Sequence, residues 1–263
     1  MTEAAPIRFV ERSERRLAYR WLGPAPNAAP TLVFLHEGLG AITTWRDFPE
    51  RAVERTGWGA LVYDRRGYGR SSPCPLPRPL RYMEQEAEDD LPAMLAALGV
   101  RRCALVGHSD GASIAVAHAA GPRHPSVEAL VLVAPHVFVE RMAQDAIRET
   151  GRRFSRGPLK ESLRRHHGDN LECAFRGWHD AWLDPGFEAS FDLRPRLGGI
   201  DVPSLLVQGL DDPYGTLAQI DALARGVDGP VERLLLPRCG HAPHREAAQP
   251  LLDALVGFAH QAL

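Results

Sequence analysis

The sequence predicts an α/β fold in which helices cover both faces of a mostly parallel sheet. Short apolar runs alternate with segments of helical character along most of the chain, as in successive β–α–β units. In addition, the pentapeptide GHSDG at 107–111 separates an apolar run at 103–106 from a small-residue helical run at 112–120. That arrangement is typical of a strand, a sharp turn and a helix.

The predicted elements follow this alternation. An N-terminal hairpin pairs 8–10 with 16–22 around a polar turn at Ser13 and Glu14, and a linker rich in Pro, Ala and Gly follows at 23–30. Six further strands complete an eight-stranded sheet, and they are predicted at 31–35, 60–63, 103–106, 130–134, 204–208 and 231–236. Helices are predicted at 45–56, 82–98, 112–120, 216–225 and 247–263.

The alternation stops between His136 and Asp201. This stretch is rich in Arg, His and aromatic residues, contains no clear buried strand and is too long for a simple connection. We therefore expect an α/β core formed by 1–135 and 202–263, with a helical cap inserted at 136–201. Trp178 and Trp182 lie four residues apart and would share one helix face, where they either pack the cap onto the core or contact a substrate.

Composition limits the kinds of partner that the chain is expected to bind. The 263 residues are enough for one large α/β domain with an insertion. The net charge of −2 is made of mixed charges without a basic face or a polybasic segment, so neither nucleic acid nor membrane is an expected partner. We expect a small-molecule substrate instead. The sequence does not indicate the oligomeric state.

The cysteines and the N-terminal residues indicate a compartment. The four cysteines lie far apart without a C-x-x-C pair, which predicts free thiols in a reducing environment. The N-terminal residues lack the apolar region of a signal peptide, and no run approaches the ~20 apolar residues that span a bilayer. We therefore expect a cytoplasmic protein.

Neither a metal site nor a cofactor is predicted. His166 and His167 are neighbours in sequence, but adjacent side chains point apart in regular structure, and no fourth ligand accompanies them. We expect this pair to lie in a solvated part of the cap.

Ser109 is the predicted nucleophile. The turn in GHSDG brings strand and helix close together, which requires small residues at 107 and 111, and both are glycine. A serine hydroxyl also needs a base, and the base needs an acid that orients it. The loops after the last two predicted strands supply Asp211 or Asp212 and then His241, so the chain order is Ser, Asp, His.

Five segments together resemble the α/β-hydrolase family over essentially the whole chain: HEG at 36–38, DRRGYGRS at 64–71, the pentapeptide, GLDD at 209–212 and GH at 240–241. The resemblance implies an α/β-hydrolase fold with a triad of Ser109, Asp212 and His241. It favours Asp212, the fourth residue of G-x-x-D, over Asp211. It assigns the base to His241 and leaves His244 as a supporting residue.

The resemblance also implies an oxyanion hole made of two backbone amides. One belongs to Asp110, directly after the nucleophile, and the other belongs to the loop after the third strand. Related sequences use the residue two positions beyond the histidine, which is Gly38 here, whereas Leu39 would serve if the turn shifts. Glu37 replaces the usual second residue, glycine, of this loop. The sharp turn at the pentapeptide 107–111 is called the nucleophile elbow in this family. The segment at 64–71 is interpreted as an architectural turn beside this elbow.

The carboxylate of Asp110 leaves two alternatives open. The elbow resembles the serine–aspartate–glycine elbow of valacyclovir hydrolase-like enzymes, in which the aspartate binds the ammonium group of an α-amino acid ester. On that resemblance Asp110 would recognise an amino-bearing acyl group, and Glu37 would add negative potential nearby. Alternatively, the Asp110 side chain forms local hydrogen bonds and only its amide enters the site.

These residues predict a serine hydrolase of the carboxylesterase type. Its substrate would be a small or medium carboxylic ester, lactone or thioester, cleaved through an acyl-enzyme on Ser109. An aromatic cap implies a restricted, partly apolar pocket, which suits such substrates better than long lipids or polymers. The alternatives are a hydrolase of C–N or C–C bonds, similar to aminopeptidases or diketone hydrolases, and a ligand-binding protein on a hydrolase scaffold.

Overall fold

The computed structural model describes residues 5–12, 15–122 and 126–263. Eight strands form one sheet: β1 (Arg8–Arg12), β2 (Arg15–Leu22), β3 (Thr31–Leu35), β4 (Gly59–Tyr63), β5 (Cys103–His108), β6 (Val127–Val133), β7 (Ser204–Gly209) and β8 (Val231–Leu236). Their order is β1-β2-β4-β3-β5-β6-β7-β8. β2 pairs antiparallel with β1 and β4, and all other neighbours are parallel. The prediction of a mostly parallel sheet of eight strands is confirmed, while the predicted turn at Ser13 and Glu14 lies outside the described residues.

Helices lie on both sides of this sheet. In the described ranges they are α1 (Phe48–Thr56), α2 (Tyr82–Gln85), α3 (Leu91–Ala97), α4 (Asp110–Ala119), α5 (Arg141–Ser155), α6 (Pro158–His167), α7 (Leu171–Leu183), α8 (Pro185–Ser190), α9 (Leu217–Gly226), α10 (Pro243–Glu246) and α11 (Ala248–Ala262). Tighter 3₁₀ turns occur at Ile42–Trp45, Gly168–Asn170 and Arg194–Gly199. Within the described ranges, every helix is too short or too polar to cross a membrane.

Two predicted helices are less regular than the sequence pattern indicates. The helix predicted at 45–56 begins as α1 only at Phe48, because a 3₁₀ turn ends at Trp45 and the next residue, Arg46, has a positive φ of 56°. The helix predicted at 82–98 is interrupted by a π-helical stretch at Glu86–Asp90 between α2 and α3. An irregular turn of this kind leaves most of the apolar periodicity intact, so the sequence alone does not reveal it.

Strand β3 shows how the sheet is buried. Leu32 and Phe34 belong to the apolar cluster on the side of α1 and α11, whereas Val33 and Leu35 belong to the cluster on the side of α3 and α4. Every residue of β3 is buried. A strand that is covered on both faces reads as a continuous apolar run, which is the pattern that predicted it.

The carboxyl ends of the parallel strands meet at one edge of the sheet. Leu35, the last residue of β3, pairs with Gly107 of β5, and Gly209 at the end of β7 pairs with Leu236 at the end of β8. The loops after these four strands therefore emerge side by side. They carry the residues that the sequence predicts for the site.

The segment between β6 and β7 differs from the rest of the chain. Residues 134–203 are all described, and they form α5 to α8 and two 3₁₀ turns without contributing a strand to the sheet. An isolated β-bridge between Phe138 and Asp192 brings the two ends of the segment together. The division into a core and a separate cap at 136–201 stays a prediction.

We predict that Gly111→Ala destabilises the fold. A Cβ atom at this position would lie 2.0 Å from the carbonyl oxygen of Leu35 and 2.8 Å from that of His36, so α4 would have to move away from β3. Overpacking of this kind costs about 1–3 kcal/mol. Urea unfolding followed by circular dichroism measures the change.

Gly257→Ala in α11 is the matched control. A Cβ atom there meets nothing within 4 Å, and alanine is favoured over glycine inside a helix by about 1 kcal/mol, so this variant should be more stable than the parent chain. A Gly111→Ala variant as stable as the parent would show that strand and helix are not in close contact at the turn.

Candidate active site

Ser109 lies in the tight turn between β5 and α4. Its backbone has φ 54° and ψ −119°, a conformation that side-chain-bearing residues seldom adopt, and its amide donates a 2.9 Å hydrogen bond to the carbonyl of Val133. A Cβ atom on Gly107 would lie 2.4 Å from the carbonyl oxygen of Gly111. Strand and helix are therefore as close as the two glycines of the pentapeptide indicate.

The structure brings the three predicted catalytic residues together. The Nε2 atom of His241, in the loop after β8, lies 2.9 Å from Ser109 Oγ, and its Nδ1 atom lies 2.8 Å from Oδ2 of Asp212, in the loop after β7. A carboxylate can only accept, so Nδ1 carries the proton and Nε2 is free to accept from the serine hydroxyl. The result is one hydrogen-bonded chain from the acid to the serine.

The structure also separates the two adjacent aspartates. The Asp211 side chain is exposed, whereas that of Asp212 is buried and accepts hydrogen bonds from Gln208 Nε2 at 2.9 Å and from the Tyr214 amide at 2.8 Å. Burial would raise the pKa of Asp212, but its interactions with His241 and the Tyr214 amide hold that pKa below the usual value. Asp212 is therefore charged and fixed in orientation.

His244 packs behind the site and does not enter the hydrogen-bonded chain. Its ring is buried, with its centroid 4.9 Å from that of Trp45 and 5.1 Å from that of His108. Burial, together with the nearby His108, lowers the pKa of His244 to about 3, so the ring is neutral. Trp45 is likewise buried, as expected for a packing residue.

The two predicted oxyanion amides both border the cavity that contains Ser109. Asp110 is the first residue of α4, so its N–H has no acceptor within the helix. Neither this amide nor that of Gly38 donates to any other group in the described ranges. At Gly38 a Cβ atom would lie 2.2 Å from Cδ1 of Trp178, so only glycine lets the indole pack against this loop.

Leu39 and Glu37, in the same loop, contact histidines through their carbonyl and carboxylate groups. The carbonyl of Leu39 accepts a 3.0 Å hydrogen bond from His167 Nε2, and the residue borders the cavity. The Glu37 carboxylate lies 3.5 Å from Nδ1 of His108. Burial would raise the pKa of Glu37, but His108 holds it well below the usual value, so this carboxylate is charged.

The structure favours the local interpretation of Asp110. Its side chain is fully buried, and both carboxylate oxygens accept hydrogen bonds, Oδ2 from the Tyr82 hydroxyl at 2.5 Å and Oδ1 from Trp182 Nε1 at 3.1 Å. Arg65 Nη2 lies 4.0 Å from Oδ2 and balances the charge. Protein donors therefore already hold the carboxylate, and binding of a substrate ammonium group by Asp110 stays a prediction.

A cavity of about 110 Å³ lies beside Ser109. Its apolar wall comes from Leu39, Ala143, Ile147, Trp178 and Trp182, so α5 and α7 form much of its roof. The two tryptophans are buried and also pack onto the core. They thus pack onto the core and also border the cavity, while contact with a substrate stays a prediction.

Several residues of the site were not identified from the sequence. His136, after β6, borders the cavity, and burial, together with His241, lowers its pKa to about 3, so it is neutral. Tyr214 places its ring 4.6 Å from that of His241 and bonds through its hydroxyl to Thr150 of α5 at 2.8 Å. His108 bonds through Nε2 to the carbonyl of His241 at 2.6 Å. For His108 alone a signal existed, since it is the second residue of the pentapeptide.

The expectation of a solvated histidine pair is wrong for His167. This side chain is buried and joins two segments of the core, accepting from the Gly69 amide at 3.2 Å and donating to Leu39. His166 lies 2.8 Å from the hydroxyl of Thr43. Across the described residues, no group of three or more His, Cys, Asp or Glu side chains is arranged to hold a metal ion.

Comparisons with known proteins agree with this fold. Residues 32–254 match the model of the alpha/beta hydrolase family. The putative carbamate hydrolase RutD of Variovorax paradoxus is 26% identical over 278 residues, which cover 92% of this chain and 95% of that protein. The crystal structure of a hydrolase from Pseudomonas aeruginosa superposes with a TM-score of 0.75 at 24% identity, over 98% of this chain and 99% of that one.

A further relative is matched over part of its length. The sn-1-specific diacylglycerol lipase ABHD11 of Danio rerio is 30% identical over 149 residues, which are 51% of this chain and 45% of that protein. The chain thus matches less than half of this curated relative. The family model nevertheless covers most of the chain, and the resemblance seen in the sequence is confirmed. The chain belongs to the alpha/beta hydrolase family.

Proposed function

We propose that the chain is a serine hydrolase of the carboxylesterase type, which cleaves a small or medium carboxylic ester, lactone or thioester. The observation that carries this proposal is the hydrogen-bonded chain from Asp212 through His241 to Ser109. A serine hydroxyl in such a chain can lose its proton to the imidazole as it attacks a carbonyl carbon. Nothing in a purely binding function requires that arrangement.

The proposed reaction has two halves. Ser109 Oγ attacks the carbonyl carbon while His241 Nε2 takes the hydroxyl proton, and the Gly38 and Asp110 amides stabilise the oxyanion. The C–O or C–S bond then breaks as His241 returns the proton to the leaving group. Water attacks the acyl-enzyme in the same manner, with His241 again as the base, and the free acid leaves. Asp212 stabilises the imidazolium in both halves.

The cavity supports a small acyl group. Its volume of about 110 Å³ is well below the ~300–1,000 Å³ of pockets that hold drug-sized ligands, and much of its wall is apolar. We propose that the segment 136–201 acts as a cap, since Ile147 and Trp178 line the same cavity as Ser109. A short or compact acyl chain would fill this space.

We predict that Ser109→Ala abolishes turnover of short aryl esters such as p-nitrophenyl acetate and butyrate without unfolding the protein. The variant lacks the only oxygen in the described chain that lies beside His241 Nε2 in this arrangement. Initial rates and thermal unfolding are measured on the same samples. Ser155→Ala, on the exposed side of α5, should hydrolyse these esters as the parent does.

A fluorophosphonate probe supplies a second readout for this prediction. It should label the parent chain at Ser109, as located by peptide mass spectrometry, and should leave Ser109→Ala unlabelled. Unchanged ester hydrolysis by Ser109→Ala would refute the proposed nucleophile. A parent chain that binds esters, thioesters, lactones and amides but turns none of them over would favour the ligand-binding alternative.

We predict that Asp212→Asn lowers kcat by about 10⁴-fold, because an asparagine amide stabilises the wrong tautomer of the histidine. Asp211→Asn is the matched control, since the Asp211 side chain is exposed and this variant should keep the parent kcat. Steady-state kinetics with one aryl ester compare the two. A larger loss in Asp211→Asn than in Asp212→Asn would reverse the assignment of the acid.

We predict that Asp110→Asn lowers turnover of an alanine aryl ester and of the matching propionate ester by the same factor. The two substrates differ by the α-amino group, and the Asp110 carboxylate is occupied by Tyr82 and Trp182 rather than open to substrate. The ratio of kcat/KM for the two esters is the quantity to measure. A selective loss on the alanine ester would restore the interpretation of Asp110 as an ammonium-binding residue.

A further inference from the structure

Arg65 is a fully buried arginine beside the site, in the turn after β4. Its guanidinium carbon lies 4.5 Å from the centroid of the Tyr68 ring, which is a cation–π contact. The Nη2 atom donates a 2.9 Å hydrogen bond to the carbonyl of Glu37 and lies 4.0 Å from Oδ2 of Asp110. A buried charge is costly unless it is paired, so these contacts constrain where the side chain can lie.

The contact with Glu37 fixes the direction of the Gly38 amide. The carbonyl of Glu37 and the N–H of Gly38 belong to the same peptide group, which is planar and trans, so they point in opposite directions. An interaction that holds the carbonyl toward Arg65 therefore aims the Gly38 N–H away from Arg65. Gly38 borders the cavity that contains Ser109, whereas Arg65 does not.

His36 supplies a second donor to the same carbonyl. The Arg65 backbone amide donates to His36 Nε2 at 3.1 Å, and burial, aided by the Arg65 charge, keeps the pKa of His36 well below its usual value. The neutral ring therefore carries its proton on Nδ1, which lies 2.8 Å from the carbonyl oxygen of Glu37. The Gly40 amide donates a further 3.0 Å hydrogen bond to the same oxygen, so the peptide plane cannot rotate without breaking three hydrogen bonds.

The same guanidinium also faces the second predicted donor. Asp110 contributes its backbone amide to the oxyanion hole and its carboxylate to the contact with Arg65. Tyr82 and Trp182 complete the hydrogen bonding of that carboxylate, so the side chain is held on three sides. The first turn of α4 is thereby anchored at its first residue.

We propose that Arg65 is a positioning residue for the oxyanion hole: its buried guanidinium holds the Glu37–Gly38 peptide and the Asp110 carboxylate, and so presets both amides that receive the oxyanion. This inference rests on the proposed function. Donors that are already oriented need no rearrangement when charge develops, and this preorganisation is what makes an oxyanion hole effective. A cation behind the carbonyl of Glu37 also polarises the peptide toward a stronger N–H donor.

Arg65→Gln tests the proposal, with Arg66→Gln as the matched control in the same turn. Arg66 is partly exposed and donates a hydrogen bond to the carbonyl of Pro73, so the Arg66→Gln variant should keep the kcat and KM of the parent. Arg65→Gln should lower kcat for a short aryl ester by about 10- to 100-fold, less than the ~10²–10³ that follows removal of a whole donor. KM should stay within about threefold of the parent, because the substrate does not contact Arg65.

A pair of ketone inhibitors distinguishes a positioning role of Arg65 from a merely structural role. Ser109 Oγ adds to an alkyl trifluoromethyl ketone to form a hemiketal whose oxyanion occupies the hole, while His241 takes the proton. The methyl ketone of the same chain binds without this addition. Arg65→Gln should weaken binding of the trifluoromethyl ketone by the same factor by which it lowers kcat/KM. It should leave binding of the methyl ketone unchanged.

The outcomes separate this inference from the proposed function. A parent chain without Ser109-dependent turnover or ketone adduct overturns the proposed function before any Arg65 variant is made. The positioning role is overturned if Arg65→Gln binds both ketones more weakly by the same factor, or if it lowers thermal stability with kcat unchanged. If Arg65→Gln does not fold, Arg65→Lys keeps the charge beside Asp110 but replaces the planar fork, and it must show the same selective loss of the trifluoromethyl ketone.

Discussion

The close approach of β5, α4 and β3 at Ser109 is the constraint on which the rest of the site depends. A Cβ atom on Gly111 would lie 2.0 Å from the Leu35 carbonyl oxygen, so the helix begins directly against the end of β3. This contact places the first amide of α4 beside the loop that carries Gly38. It also holds Ser109 in a positive-φ conformation with its hydroxyl toward His241. The predicted nucleophile and the two predicted oxyanion amides therefore derive their relative positions from one tight turn.

The sequence predicts the sheet and the placement of the triad because both depend on local patterns. Continuous apolar runs indicate strands that are buried on both faces, and the loops after parallel strands meet at one edge, so Ser109 and His241 could be assigned to the same place. The choice between Asp211 and Asp212 needed resemblance or structure. Both follow β7, and only the turn geometry decides which carboxylate is buried beside His241 and which is exposed.

Contacts between the segment 136–201 and the rest of the chain could not be predicted from the sequence. Trp182, His167 and Thr150 each bond to a residue far away in sequence, and nothing in local periodicity selects such partners. For the same reason the direction of the Asp110 side chain could not be derived, since its donors Tyr82 and Trp182 come from two different helices. The expectation of a solvated histidine pair was wrong because His167 is buried against the active-site loop.

The buried charges around Ser109 are arranged along the direction in which the proposed reaction moves charge. Asp212 lies behind His241, where a positive charge forms as the imidazole takes the serine proton. Arg65 lies behind the Glu37–Gly38 peptide, so this peptide would separate it from the oxyanion that forms at the same moment. Both charges are buried, so solvent screens them weakly. Asp212 accepts three hydrogen bonds, and the Arg65 guanidinium donates one to the Glu37 carbonyl and lies beside the Asp110 carboxylate. In the proposed reaction, the carboxylate behind the base and the guanidinium behind the Glu37–Gly38 peptide would together stabilise the two separated charges. A neutral ligand that only binds would develop no such charges.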